Sequence, residues 1–151
     1  MQAFESVDGV LDFAISREEE ACEFYTDLAS SSNRADLKTL FQQFAEEERG
    51  HRRKLEAVKQ GKKLAPAEKQ VLDLKMSDYL VAGKPSKEMS YQEVLILAMK
   101  KEKASFKLYT DLAGRVPGED LKNTFLLLAQ EEARHKLRFE VEYDNEIMGE
   151  N

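Results

Sequence analysis

The chain has 151 residues, the length of one ordinary domain and enough to bury a hydrophobic core. Charged residues make up 34% and hydrophobic residues 42%, with no tryptophan, a balance typical of a helical globular protein rather than a disordered one. The net charge of −6 arises from interleaved acidic and basic residues without a basic block, so nucleic acid is not an expected partner.

Targeting and redox features are sparse. Residues 1–10 lack a basic region followed by an apolar core, so no secretory signal is visible. The longest apolar run, at 94–99, is too short to span a membrane, and no membrane partner is expected. Cys22 is the one cysteine, which excludes an intramolecular disulfide and a cysteine-based metal site. A reducing cytoplasm is therefore the expected compartment.

The first half of the chain predicts a helical hairpin over residues 7–61. A first helix from about 7 to 30 carries apolar residues at three- and four-residue steps. A polar turn at 30–33 supplies candidate N-caps for a second helix, which continues the same periodicity until Gly61.

A crossover over residues 62–89 follows, in which prolines and Gly83 interrupt a weak periodicity, with a short helix possible at 67–73. Ser90 and Glu93 form a capping-box pattern that opens a second hairpin over residues 90–148. A break at 114–118 separates its two helices.

The loop lengths determine the expected topology. Few residues join the helices of each hairpin, which makes each pair antiparallel. The crossover is long enough to travel the length of a bundle. We therefore predict an all-α, ferritin-like four-helix bundle built from two hairpins with one long crossover, forming a single domain over residues 1–151.

The two hairpins repeat one pattern at an offset of 84 residues. An E-x-x-H step occurs at Glu48 and His51 and again at Glu132 and His135. On a helix, residues three apart lie one turn apart on the same side, so each pair can reach one metal ion. Any single E-x-x-H is a weak signal, but the chain has only two histidines and each of them ends such a motif.

The preceding helix of each hairpin repeats a second pattern at the same offset. Glu18 precedes Tyr25 by seven residues, and Glu102 precedes Tyr109 by seven. Both glutamates lie on apolar faces. Because helical side chains lean toward the N-terminus, each tyrosine is expected to donate a hydrogen bond to a ligand carboxylate. The alternative is that both tyrosines are plain core aromatics.

The predicted site is a carboxylate-bridged two-metal centre. Buried carboxylates are very costly without compensating positive charge, and two divalent cations would balance four of them. Oxygen and imidazole ligands without thiolate favour iron, or manganese, over structural zinc. Its predicted ligands are Glu18, Glu48, His51, Glu102, Glu132 and His135.

These motifs, which span essentially the whole chain, resemble the diiron domain of the rubrerythrin branch of the ferritin-like superfamily. The resemblance implies the six predicted ligands as iron ligands, with Glu48 and Glu132 bridging. Two departures stand out. Rubrerythrins usually carry a further ligand glutamate where this chain has Ser105, which weakens the expectation of redox-linked ligand exchange. They also usually carry a rubredoxin domain with CxxC pairs, which is missing from this sequence.

The resemblance implies a non-haem diiron oxidoreductase that reduces peroxide or O₂, with electrons from a separate donor protein. Two alternatives stay open: iron storage with ferroxidation as the entry step, and a bundle whose metal is structural. A homodimer is expected, with the crossover packing on its own bundle or exchanging with a partner.

Overall fold

The computed structural model describes residues 4–149, and no strand occurs among them. The all-α prediction is thereby confirmed. Two compact units are present, Phe4–Leu72 and residues 73–149, and residues 1–3 and 150–151 of the predicted single domain lie outside the described part. The α-helices are α1 (Val7–Ser31), α2 (Ala35–Gln60), α3 (Glu68–Val71), α4 (Tyr91–Ala113) and α5 (Glu119–Gly149).

The first unit is an antiparallel hairpin of α1 and α2. The Ser6 hydroxyl accepts a hydrogen bond from the Gly9 amide at 2.9 Å and so caps the start of α1. Asp12 near the start of α1 contacts Lys59 near the end of α2, at 2.6 Å between Oδ1 and Nζ, which fixes the antiparallel direction. Its core contains aromatic and aliphatic side chains that recur at helical spacing: Leu11, Tyr25, Phe41, Phe44, Leu55 and Val58.

The turn between α1 and α2 differs from the expected serine cap. Helix α1 continues through Ser31, and Arg34 occupies the N-cap of α2 without a side-chain cap bond. The Arg34 guanidinium instead donates to Asp36 at 3.2 and 2.7 Å, and this contact lowers the pKa of Asp36. Asp36 lies in the first turn, where a carboxylate favours the positive end of the helix dipole.

The second unit contains the rest of the crossover and the antiparallel hairpin of α4 and α5. The predicted capping box is present at the start of α4: the Glu93 amide donates to Ser90 Oγ at 3.1 Å, and the Ser90 amide donates to Glu93 at 2.9 Å. Helix α5 continues to Gly149. Its buried side chains include Phe125, Leu128 and Phe139.

The crossover is ordered by short helical turns. Helix α3 falls within the stretch predicted at 67–73, and a 3₁₀ turn at Met76–Tyr79 had no sequence prediction. The Tyr79 hydroxyl donates a 2.7 Å hydrogen bond to Asp111 on α4, and Lys107 Nζ lies 5.7 Å from the Tyr79 ring centroid. This buried tyrosine fastens the crossover to α4.

Replacing Tyr79 with phenylalanine should lower the free energy of unfolding by roughly 1.5 kcal/mol, since a hydrogen bond to a charged group is lost while the ring contacts remain. Burial and the Asp111 contact raise the pKa of Tyr79. Because the folded-state pKa exceeds the unfolded value, this contribution is present below pH of about 10 and is lost as pH rises through the folded pKa. Urea unfolding of the wild type and the variant at neutral and alkaline pH measures the loss of stability and its pH dependence. An unchanged unfolding midpoint of the variant at neutral pH would contradict the stabilising role of this hydrogen bond.

Among residues 4–149, no helix has the combination of length and apolarity that crossing a membrane requires.

Candidate metal centre

The first hairpin brings three of the predicted ligands together. Glu18 extends from α1, while Glu48 and His51 extend from successive turns of α2, and all three residues are at most 1% exposed. His51 Nδ1 lies 3.1 Å from Glu48 Oε1 and 3.3 Å from Glu18 Oε2. The i,i+3 spacing on α2 and the antiparallel packing of α1 thus converge on one imidazole.

The second hairpin repeats this arrangement with looser contacts. Glu102 extends from α4, and Glu132 and His135 extend from α5, all at most 2% exposed. His135 Nδ1 lies 3.6 Å from Glu102 Oε2 and 3.9 Å from Glu132 Oε1. These two distances are longer than a hydrogen bond.

Each triad has the donor chemistry that a divalent metal ion needs. Within each triad, one ligand atom per residue lies within 4.8 Å of the others. Each places two carboxylates and one imidazole in a site that excludes water, where a cation would offset the cost of burying negative charge. The residues therefore fit a bound metal, and their oxygen and nitrogen atoms suit iron or manganese.

The two predicted tyrosines are buried, each 1% exposed. The Tyr25 ring packs edge-on against Phe44 of the neighbouring helix, with ring centroids 5.7 Å apart. The Tyr109 ring instead stacks nearly parallel on Phe125 across its own hairpin, with the ring planes 17° apart and the centroids 6.4 Å apart. Both rings are therefore core aromatics, and a hydrogen bond from either hydroxyl to a ligand carboxylate stays a prediction.

Ser105 lies one turn beyond Glu102, and Ala21 lies one turn beyond Glu18; both are partly exposed. Neither can supply the further carboxylate that the resemblance would require, since serine is a neutral hydroxyl and alanine has no donor atom. The predicted ligands of each hairpin thus remain two carboxylates and one imidazole.

One buried acidic residue was not assigned a role from the sequence. Glu142 lies two turns beyond His135 on α5, is 2% exposed, and accepts a hydrogen bond from the Tyr91 hydroxyl at 3.3 Å. Val58 is its counterpart at the 84-residue offset and is also buried. A glutamate on an otherwise apolar face was the signal that could have identified it. Glu142 gives the second hairpin three buried glutamates, against two in the first.

Two solved structures resemble the fold of this chain. A ferritin-like protein from Thermotoga maritima, described as diiron-carboxylate, has 23% identity and a TM-score of 0.75, with 97% of this chain and 99% of that chain covered. A hypothetical protein from Pyrococcus furiosus has 26% identity and a TM-score of 0.66, with 90% and 87% covered. The fold is therefore the ferritin-like four-helix bundle predicted from the loop lengths.

The family follows from the sequence itself. The model of the family described as Rubrerythrin matches residues 9–88 and 93–149. The chain therefore belongs to the rubrerythrin family, which confirms the resemblance drawn from the repeated motifs. No curated protein matches the sequence significantly.

Proposed function

We propose that this protein is a diiron oxidoreductase that reduces peroxide or O₂. The observation that carries the proposal is the presence of two buried triads of the same composition, one in each hairpin. A single buried carboxylate–histidine contact is common in protein cores, but the same three residue types at matching positions of both halves are typical of a two-metal site. Membership of the rubrerythrin family supports the same conclusion.

The proposal joins both triads into one dinuclear site. Two divalent ions carry four positive charges, and the four triad carboxylates would neutralise them if both imidazoles are uncharged. Glu48 and Glu132 are the proposed bridging ligands, as the resemblance to the rubrerythrin family implies. Glu18 and Glu102 would then complete the coordination of one metal each.

Two ferrous ions, when bound, supply the two electrons and the Lewis acidity that peroxide or O₂ reduction needs. The residues of this chain bind the metals, orient the ligands and exclude water. The histidines bind through a ring nitrogen, and the glutamates hold the geometry. Phe44 and Phe125, whose rings contact those of Tyr25 and Tyr109, are proposed to help exclude water from the site. The hydroxyls of Tyr25 and Tyr109 are proposed to orient the ligand carboxylates by donating hydrogen bonds to them.

The electron donor is proposed to be a separate protein, because the sequence contains one cysteine and therefore no CxxC pair for a rubredoxin-type centre. The same cysteine usage is compatible with a reducing, cytoplasmic setting.

Rapid mixing of the ferrous-loaded protein with hydrogen peroxide tests the proposal. We expect oxidation of the bound iron to be faster than that of free ferrous iron at the same concentration, followed by a second turnover when a reductant is supplied. Glu47→Ala, which alters the residue beside Glu48, is the matched control and should react like the wild type. No acceleration over free iron would contradict the oxidoreductase proposal, and a large cage in solution with iron accumulating in it would favour storage instead.

A further inference from the structure

A cleft of about 380 Å³ lies in the first hairpin, between the first turns of α1 and the end of α2. Its volume falls within the range of small-molecule sites in proteins. Three carboxylates and two ammonium groups line it, together with one aliphatic side chain. We name as the hairpin cleft the space lined by Asp8, Asp12, Ile15, Glu56, Lys59 and Lys62.

The chain leaves α2 through a residue in an uncommon backbone conformation. Lys62 has a φ of 51° and is the one non-glycine residue with positive φ among residues 4–149. Its amide donates to the Lys59 carbonyl at 3.1 Å, and the Lys63 amide donates to the Val58 carbonyl at 3.1 Å. These two bonds define a Schellman motif, in which the left-handed residue is usually glycine because a side chain there costs free energy.

The glycine of this turn lies one residue too early to relieve that cost. Gly61 is the C-cap, with a φ of −79° and a ψ of 0°, a conformation that most residues adopt. The left-handed position is therefore occupied by a lysine whose side chain lines the hairpin cleft. Residues held in costly backbone conformations are concentrated at functional sites. We interpret Lys62 as kept there for its ammonium group.

The internal repeat shows that the second hairpin does not need these charges. At the 84-residue offset, Asp12 corresponds to Ile96 and Lys59 to Tyr143. Helix α5 also continues through Glu146, the counterpart of Lys62, so it has no helix end at this place. Because both hairpins form the same antiparallel pair, the charged lining of the cleft is a property of the first hairpin alone and not a requirement of the fold.

The charges of the cleft are arranged around Lys59. The Asp12 carboxylate accepts a 2.6 Å hydrogen bond from the Lys59 ammonium, and this contact raises the pKa of Lys59. The charges of Asp8 and Glu56 raise it further, so both carboxylates lie near the same ammonium. Asp12 and Lys59 thus offset one another. The remaining carboxylates give one part of the cleft an excess of negative charge.

We propose that the hairpin cleft binds a small zwitterion, with the ligand's ammonium group at Asp8 and its carboxylate at Lys62. Glu56 lies 3.7 Å from Arg52, which offsets part of its charge and leaves Asp8 as the main acceptor. A simple anion would be repelled by the acidic part of the cleft, and a simple cation would be repelled by Lys62. Ile15 provides the apolar contact for the carbon chain between the two charged groups.

Titration of the full chain with 6-aminohexanoate, followed by ¹H–¹⁵N nuclear magnetic resonance, tests the charge requirement. Hexylamine and hexanoate, at the same ionic strength, each supply one of the two charged groups. We expect weak, saturable binding of the zwitterion, with shifts concentrated at residues 8–15 and 56–62, and roughly fivefold weaker binding of either analogue. Equal affinities for the three probes, or no saturable shifts with 6-aminohexanoate, would overturn the proposal.

Variants at the end of α2 test the role of Lys62. Lys62→Gln should weaken 6-aminohexanoate binding by roughly fivefold, and so should Asp8→Asn, because each removes one charged contact. Lys63→Gln is the matched control, since Lys63 is the next residue, is exposed and does not line the cleft, and it should bind like the wild type. Circular dichroism confirms that each variant is folded. Wild-type affinity in Lys62→Gln would contradict the assignment.

Lys62→Gly separates binding from stability. Glycine removes the ammonium group and also relieves the left-handed backbone, so this variant should bind 6-aminohexanoate more weakly and unfold at a higher urea concentration than the wild type. A lower urea midpoint would show that lysine is not retained there at a cost in stability, which would overturn the argument for its functional role. The inference concerns the first hairpin alone and holds whether or not the metals are those proposed.

Discussion

Glu132→Ala will remove metal from the protein while leaving the metal-free chain helical. Wild-type protein loaded with ferrous iron under anaerobic conditions should carry two irons per chain, and the variant should carry fewer. Loss of a ligand should weaken binding by more than the roughly 10–100-fold typical of residues that only support a ligand. The hairpins bury aromatic and aliphatic side chains such as Phe125 and Leu55 independently of the metal, so the far-ultraviolet circular dichroism should be preserved.

The repeat supplies matched controls for this experiment. Glu131 and Glu47 immediately precede the predicted ligands Glu132 and Glu48, occupy matching positions of the two hairpins, and are partly exposed. Alanine at either control position should leave the iron content unchanged. Full iron content in Glu132→Ala would contradict the ligand assignment. Loss of helix together with the metal would instead support the structural-metal alternative.

The long helices were predictable because their signals are local. Apolar residues at three- and four-residue steps gave α1 and α4 to within about a residue or two, and the capping box at Ser90 gave the start of α4. The start of α2 was less predictable. Several serines competed for the cap, and the contact between Arg34 and Asp36 favours a later start.

The crossover was not predictable in detail because its order depends on distant contacts. The 3₁₀ turn that ends at Tyr79 has no periodicity of its own, and its anchor, Asp111, lies 32 residues further along the chain. A hydrogen bond of this kind leaves no pattern in the local sequence. The prediction of an interrupted, weakly periodic segment was the most that local signals could support.

The burial of the predicted ligands and their grouping around each histidine were predictable from the repeat together with the helical period. Spacing placed Glu18 on an apolar face, and the structure buries it beside His51. Spacing could not show that the contacts around His135 are longer than those around His51, because that difference depends on side-chain packing. Spacing also did not give Glu142 a role, because Tyr91, which donates a hydrogen bond to it, lies on the other helix of the hairpin.

The buried glutamates should also lower the free energy of unfolding of the metal-free protein. Glu102 and Glu132 place two carboxylates beside one imidazole in a water-excluded site. Without metal, desolvation and like charge disfavour this arrangement. Glu102→Gln keeps the shape of the side chain and removes one of two neighbouring buried negative charges, so the metal-free variant should be more stable than metal-free wild type, by roughly 1–3 kcal/mol.

Bound metal should reverse the order of stability, so that the wild type becomes more stable than Glu102→Gln. Ligand binding to the folded state adds to stability in proportion to the logarithm of metal concentration over the dissociation constant, and the wild type binds more tightly. Denaturant unfolding of both proteins, with chelator and with saturating ferrous iron under anaerobic conditions, measures the two orders. Glu131→Gln is the control and should lie within about 0.5 kcal/mol of wild type in both conditions. If Glu102→Gln were destabilised to the same extent with and without iron, Glu102 would be a structural acid rather than a ligand. A crossing of the two orders would instead show that the chain gives up stability at Glu102 in order to bind metal there.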